Sequence, residues 1–136
     1  MATEIRTICP ATHKVIFEKP GASLEQAKQT TVSATDAFKS YQNTTLQERK
    51  AIVSRALDII ESRKDELGQD ITAQIGRPIR YCAAELNTTR RRAEHLMEIA
   101  EESLAPLPGK PEAGFRREVK RVPLGPILIA SAWNVR

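Results

Sequence analysis

Four consecutive apolar residues near the C-terminal end, Ile127-Leu128-Ile129-Ala130, constrain this chain more than any other feature. A short unbroken apolar run behind the turn residues Pro123-Leu124-Gly125-Pro126 reads as a strand buried on both faces, as in a parallel sheet. Such a strand needs neighbours to pair with and helices to cover it, and parallel neighbours need long crossovers. Six residues follow the run, too few for a βαβ unit. The expectation is therefore the opening portion of a larger α/β protein, a single incomplete domain over residues 1–136.

What precedes the run is mostly helical. Residues 1–22 form the exception. Ile5, Thr7 and Cys9 alternate with Arg6 and Ile8, Pro10-Ala11-Thr12-His13 reads as a turn, and Val15 and Phe17 alternate with Ile16 and Glu18. That pattern predicts a β-hairpin. Residues 23–105 predict helices. Ser23-Leu24-Glu25-Gln26 and Thr45-Leu46-Gln47-Glu48 are both capping boxes. Behind them run the stripes Ala27, Thr31, Ala34, Phe38, Tyr41 and Ile52, Ala56, Leu57, Ile59, Ile60. Gly68 is expected to end or kink the second helix, with Ile71 and Ile75 in a short third one. Gly76-Arg77-Pro78 is a stop signal. The next helix starts near Ile79 and carries Leu86, Ala93, Met97 and Leu104. The Pro- and Gly-rich stretch 106–114 reads as a linker. Residues 115–136 are expected to be strands and to begin a further core.

Composition removes several classes. No apolar run reaches the ~18 residues of a membrane span. The start, Met1-Ala2-Thr3-Glu4-Ile5-Arg6, lacks the pattern of a secretory signal. Two cysteines without a CxxC pair exclude a disulfide framework and fit a reducing, cytoplasmic setting. The net charge is +4, and all of the excess lies in residues 110–136, with 6 Lys/Arg against 2 Asp/Glu. A basic tail could meet nucleic acid. Charge on an edge strand more commonly blocks aggregation, so that reading ranks low.

The chemistry-bearing candidates mostly reduce to surface. Arg90-Arg91-Arg92 spreads around a helix and faces Glu94 and Glu98. His95 and Glu98 share a face but have no third ligand near in sequence, so no metal site is expected. Asp58 with Glu61 and Glu98 with Glu101 are carboxylates on solvated faces. Cys82 lies near a helix start, where a thiol pKa can fall, yet a buried structural thiol is favoured. No G-x-G-x-x-G or phosphate loop occurs. What remains is Ser131-Ala132-Trp133-Asn134, just past the apolar run. Open α/β sheets place ligands at that end of a strand.

With these residues in hand, the chain resembles the N-terminal part of the aldehyde dehydrogenase superfamily. Cys9-Pro10-Ala11-Thr12-His13-Lys14 resembles the family's N-P-x-T-G-E turn, with His13 at the usual Gly. Ala34 to Tyr41 followed by Glu48-Arg49 resembles A-x-x-A-F-x-x-W…E-R, with Tyr41 at the usual Trp. Gly76-Arg77-Pro78 resembles G-K-P, and Val122 through Asn134 resembles P-x-G-V-x-x-x-I-x-P-W-N. Ala132 stands at the Pro before Trp, and Val135-Arg136 replaces an aromatic-Pro pair.

The resemblance implies an α/β, helix-rich first part of an aldehyde dehydrogenase-like fold, with an N-terminal β-hairpin and C-terminal strands. It implies a homo-oligomeric oxidoreductase that converts an aldehyde to an acid with NAD or NADP. In that chemistry a cysteine thiolate attacks the carbonyl, hydride leaves for the nicotinamide, and a glutamate-activated water releases the acid. Asn134 takes the position of an oxyanion-hole donor. Ala130, Ser131, Ala132 and Trp133 take positions along the cofactor crevice. The hairpin and residues 115–122 would serve oligomerisation. The family's nucleophilic cysteine and base glutamate fall after Asn134, and neither Cys9 nor Cys82 matches the nucleophile motif. The expectation is a truncated member, not catalytic as this chain and not holding the cofactor alone. The alternatives are a module docking on a full-length relative and, less favoured, a small nucleic-acid-binding protein.

Overall fold

The structure is a computed structural model describing residues 4–131. Its first element is the expected hairpin. β1 (Glu4–Ile8) and β2 (Val15–Pro20) pair antiparallel, with Ile5 opposite Lys19 and Thr7 opposite Phe17, and the register shifts after Thr7. Arg6 bridges to Glu18 across the ladder at 3.0 Å. The turn closes when the Cys9 N–H donates to the Lys14 carbonyl at 2.9 Å and the His13 N–H to the Cys9 carbonyl at 2.8 Å. This places His13 at φ 57, in the left-handed region that a Gly occupies without cost.

Four helices follow: α1 (Leu24–Tyr41), α2 (Leu46–Ser62), α3 (Lys64–Ile75) and α4 (Ile79–Leu104). Both capping boxes form. The Ser23 hydroxyl accepts from the Gln26 N–H at 3.1 Å while the Ser23 N–H donates to the Gln26 side chain at 2.8 Å. Thr45 and Glu48 do the same at 3.2 and 2.7 Å. Each box satisfies two N–H groups that a helix start otherwise leaves unpaired.

Gly68 departs from expectation. The break between α2 and α3 falls at Arg63, with φ −108 and ψ 19. Gly68 instead sits buried inside α3, where a Cβ would lie 3.4 Å from Cys82 Cβ. It is small because α4 crosses there, which helix-ending signals in one segment cannot reveal. Gly76 does end α3, at φ 74, and a Cβ there would press within 2.8 Å of the Pro10 ring. The hairpin turn thus docks on the α3–α4 corner.

α2, α3 and α4 pack together around Leu57 and Cys82, which are 4% and 1% exposed. The rim of this packing is polar. Arg90 of α4 reaches Asp58 of α2 at 3.0 Å, and Lys64 donates to the Asn87 side chain at 2.6 Å. α1, in contrast, buries none of its residues.

After α4 the chain is extended. β3 (Leu107–Pro108) pairs antiparallel with β4 (Glu118–Val119), so the stretch expected to be a linker folds back on the charged segment after it. Gly109 is required where it passes Arg117, because a Cβ would lie 2.8 Å from the Arg117 Cβ. The expected strand at Ile127–Ala130 forms no ladder among the described residues. Ile127, Leu128 and Ile129 are 74%, 95% and 79% exposed. A strand exists only against a partner, and no described strand lies beside this one.

Candidate functional site

The crevice below residues 121–127 is where the C-terminal segment passes the α1–α2 turn and the end of α4. The path is set locally. Ala105 leaves α4 in extended backbone. Gly125, at φ 113, adopts a conformation that a side chain would resist, and Pro123 and Pro126 flank it. Two cavities lie beneath. One, about 460 Å³, is lined by Leu46 and Arg49 of α2, Glu101 and Leu104 of α4, and Arg121 with Val122. The other, about 560 Å³ and mostly apolar, is lined by Ala34, Phe38 and Tyr41 of α1 with Pro126 and Ile127. The small and aromatic residues of the α1 stripe thus face the segment that leads to Ala130.

Ala130 and Ser131 are exposed, and among the described residues no backbone–backbone hydrogen bond holds residues 122–131. Neither residue lines either cavity. Ala132, Trp133 and Asn134 lie outside the described residues.

The other sequence candidates separate into structural roles. Arg90 is held by Asp58 and by Glu94 at 3.1 Å, which raise its pKa, with the Asp58 hydrogen bond the largest cause. Arg91 and Arg92 are exposed on α4. Part of the basic tail is paired locally. Arg116 and Lys120 pair with Glu118 at 3.1 and 3.0 Å, and Arg117 pairs with Glu112. His95 meets Glu98 at 3.8 Å in open solvent, and no metal-ligand cluster occurs among the described residues.

Both cysteines are free thiols. Cys82 is enclosed by the Thr72 hydroxyl at 3.4 Å and the Pro78 carbonyl at 3.7 Å. Hydrogen bonding from the Thr12 side chain, and then from the Thr12 and Ala11 backbone, holds the Cys9 thiol below its ordinary pKa. The Thr three residues after Cys9 is the signal that could have revealed this. No histidine or carboxylate hydrogen-bonds either sulfur among the described residues, so neither thiol has a base.

Sequence reasoning also missed that Arg49 and Arg121 line one cavity. They stand 72 positions apart, and only the return of the chain past α2 brings them together.

Comparison with known proteins agrees with this architecture. The sequence model of the aldehyde dehydrogenase family matches residues 1–135. An aldehyde dehydrogenase of Paenarthrobacter nicotinovorans is 28% identical over 133 residues, 96% of this chain and 29% of that protein. An NADP-linked succinate-semialdehyde dehydrogenase of Schizosaccharomyces pombe is 32% identical over 79 residues, 58% of this chain and 16% of that protein. In a crystal structure of a putative aldehyde dehydrogenase from Burkholderia cenocepacia, 25% of the chain superposes on 90% of this one, with TM-score 0.81 and 24% identity. The chain spans under a third of the length of these relatives.

Proposed function

This chain belongs to the aldehyde dehydrogenase family, and from that premise we propose that it is the N-terminal portion of an NAD(P)-dependent aldehyde-oxidising enzyme, without catalytic activity of its own. The family match over residues 1–135 carries this reading. The exposed Ile127–Ile129 segment supports it, because a run this apolar is stable only when covered.

Bound NAD or NADP supplies a hydride acceptor. Toward it the chain offers Ala130 and Ser131, whose small side chains let a ligand approach the backbone closely. Asn134 serves as an amide donor to the oxygen of the attacked carbonyl. One such donor contributes about 3 kcal/mol when charge develops on that oxygen. A donor alone does not cleave or oxidise anything, since acyl chemistry needs a nucleophile with a base. Cys9 and Cys82 have no base among the described residues, so the thiolate and the water-activating carboxylate come from the rest of such an enzyme. The free thiols support a reducing, cytoplasmic setting.

The test is nicotinamide reduction by the purified chain with succinate semialdehyde, alone and co-expressed with the remaining portion of the Paenarthrobacter relative. No turnover alone and turnover with the complement is expected. Turnover by the chain alone overturns the proposal.

A second reading has its own observation. The unpaired Ile127–Ala130 backbone is available for strand addition, so the chain could act as a module that docks on a full-length relative. Co-purification with that relative, abolished by a proline at Leu128, is the expected result. A clean separation of the two proteins removes this reading.

A further inference from the structure

We propose that the cavity between α2, α4 and the Arg121–Pro123 segment is a binding site for a small organic carboxylate, an apolar body with an anionic head. This does not rest on the oxidoreductase reading. Arg49 and Arg121 both line the same space of about 460 Å³. The Arg49 Nε is closed off from solvent and has no hydrogen-bond partner. Arg121 differs from the cations just before it in the basic tail. Arg116, Arg117 and Lys120 each have a carboxylate partner, whereas Arg121 has none within ion-pairing distance among the described residues.

Glu101 is the only carboxylate lining the cavity, and it too lacks an ion-pair partner among the described residues. With all three groups ionised the cavity holds one net positive charge, which favours a monoanion over a doubly charged phosphate. Guanidinium groups suit carboxylates because the planar fork gives parallel hydrogen bonds. Leu46, Leu104, Val122 and Pro123 supply the apolar lining. The volume lies within the range of small-ligand pockets, which combine apolar walls with a few placed polar groups.

The test is isothermal titration of the full 136-residue chain with octanoate and, separately, with inorganic phosphate. Saturable octanoate binding is expected, weakened about tenfold by R49Q and by R121Q, as loss of one charge-assisted hydrogen bond implies. E101Q should tighten it by removing a like charge. Arg121 lies on an exposed segment, so R121Q keeps the helical circular dichroism of the parent even where R49Q does not. Binding of phosphate in preference to octanoate overturns the carboxylate assignment. Absence of octanoate binding, or binding unchanged in R121Q, overturns the site.

Discussion

The segment 122–131 is richer in apolar residues than the α2–α3–α4 body, and the two are opposite in fate. In the body, Leu57 and Cys82 disappear between helices, Gly68 lets α4 approach α3, and Arg90 ties α4 to Asp58 on α2. In the segment, Leu128 is 95% exposed and no backbone hydrogen bond forms among the described residues. The difference is one of sequence distance. Helices satisfy their own backbones and find partners a turn away in the chain. A core strand depends on other strands for both its hydrogen bonds and its burial. Apolarity alone therefore did not decide which region became core.

Leu57→Ala should have the largest effect on this contrast, because it removes the most buried large side chain of the body. A loss of about 3 kcal/mol is expected in urea unfolding followed by circular dichroism. A loss below about 1 kcal/mol would mean that the body is no better packed than the segment.

Gly76→Ala comes next. It places a Cβ on a φ of 74 and against the Pro10 ring. The left-handed backbone alone costs about 1–2 kcal/mol, and the same unfolding measurement reads it. If hairpin docking is what the contact stabilises, amide exchange of β1 and β2 should speed up as well.

Thr45→Ala removes the α2 cap and should cost about 1 kcal/mol. The same cap carries a pH signature. Backbone and then side-chain hydrogen bonding from Thr45 holds the Glu48 carboxyl below its usual pKa of 4.5. A carboxylate depressed in the folded state binds its proton more readily when unfolded. Its contribution is therefore complete above the usual carboxylate range and is lost as pH falls through the lowered value. Glu48→Gln should flatten that acid limb of the stability profile.

The smallest effect belongs to the segment. Leu128→Lys should shift the thermal midpoint of the helical body within the error expected of a surface change, about 0.5 kcal/mol. It should also reduce self-association in light scattering, because it interrupts an exposed apolar run. A large loss of stability would show that the segment is packed after all.

Much of the helical half was legible because its signals are local. Ser23 with Gln26, Thr45 with Glu48, and Gly76 before Pro78 each act within a few residues, and each formed as read. The family was legible from ordered motifs, chiefly Val122 to Asn134. Gly68 was misread because its neighbour Cys82 lies 14 positions away on another helix. The linker was misread because Gly109 meets Arg117 across a fold-back that no local pattern encodes. The meeting of Arg49 with Arg121 in one cavity was not legible, because 72 positions separate them and only the tertiary path brings them together.

The sequence by itself determined where helices start and stop, where the hairpin turns, and which family the chain resembles. Caps, glycines at positive φ and apolar periodicity act through bonds between near neighbours, so they operate in any context. Only the tertiary structure decided that Gly68 is a crossing point, that Arg121 alone of the tail arginines lies without a carboxylate partner among the described residues, and that Ile127–Ala130 stays uncovered. Those outcomes depend on which surfaces meet across long stretches of chain, and burial and ion pairing are properties of the meeting.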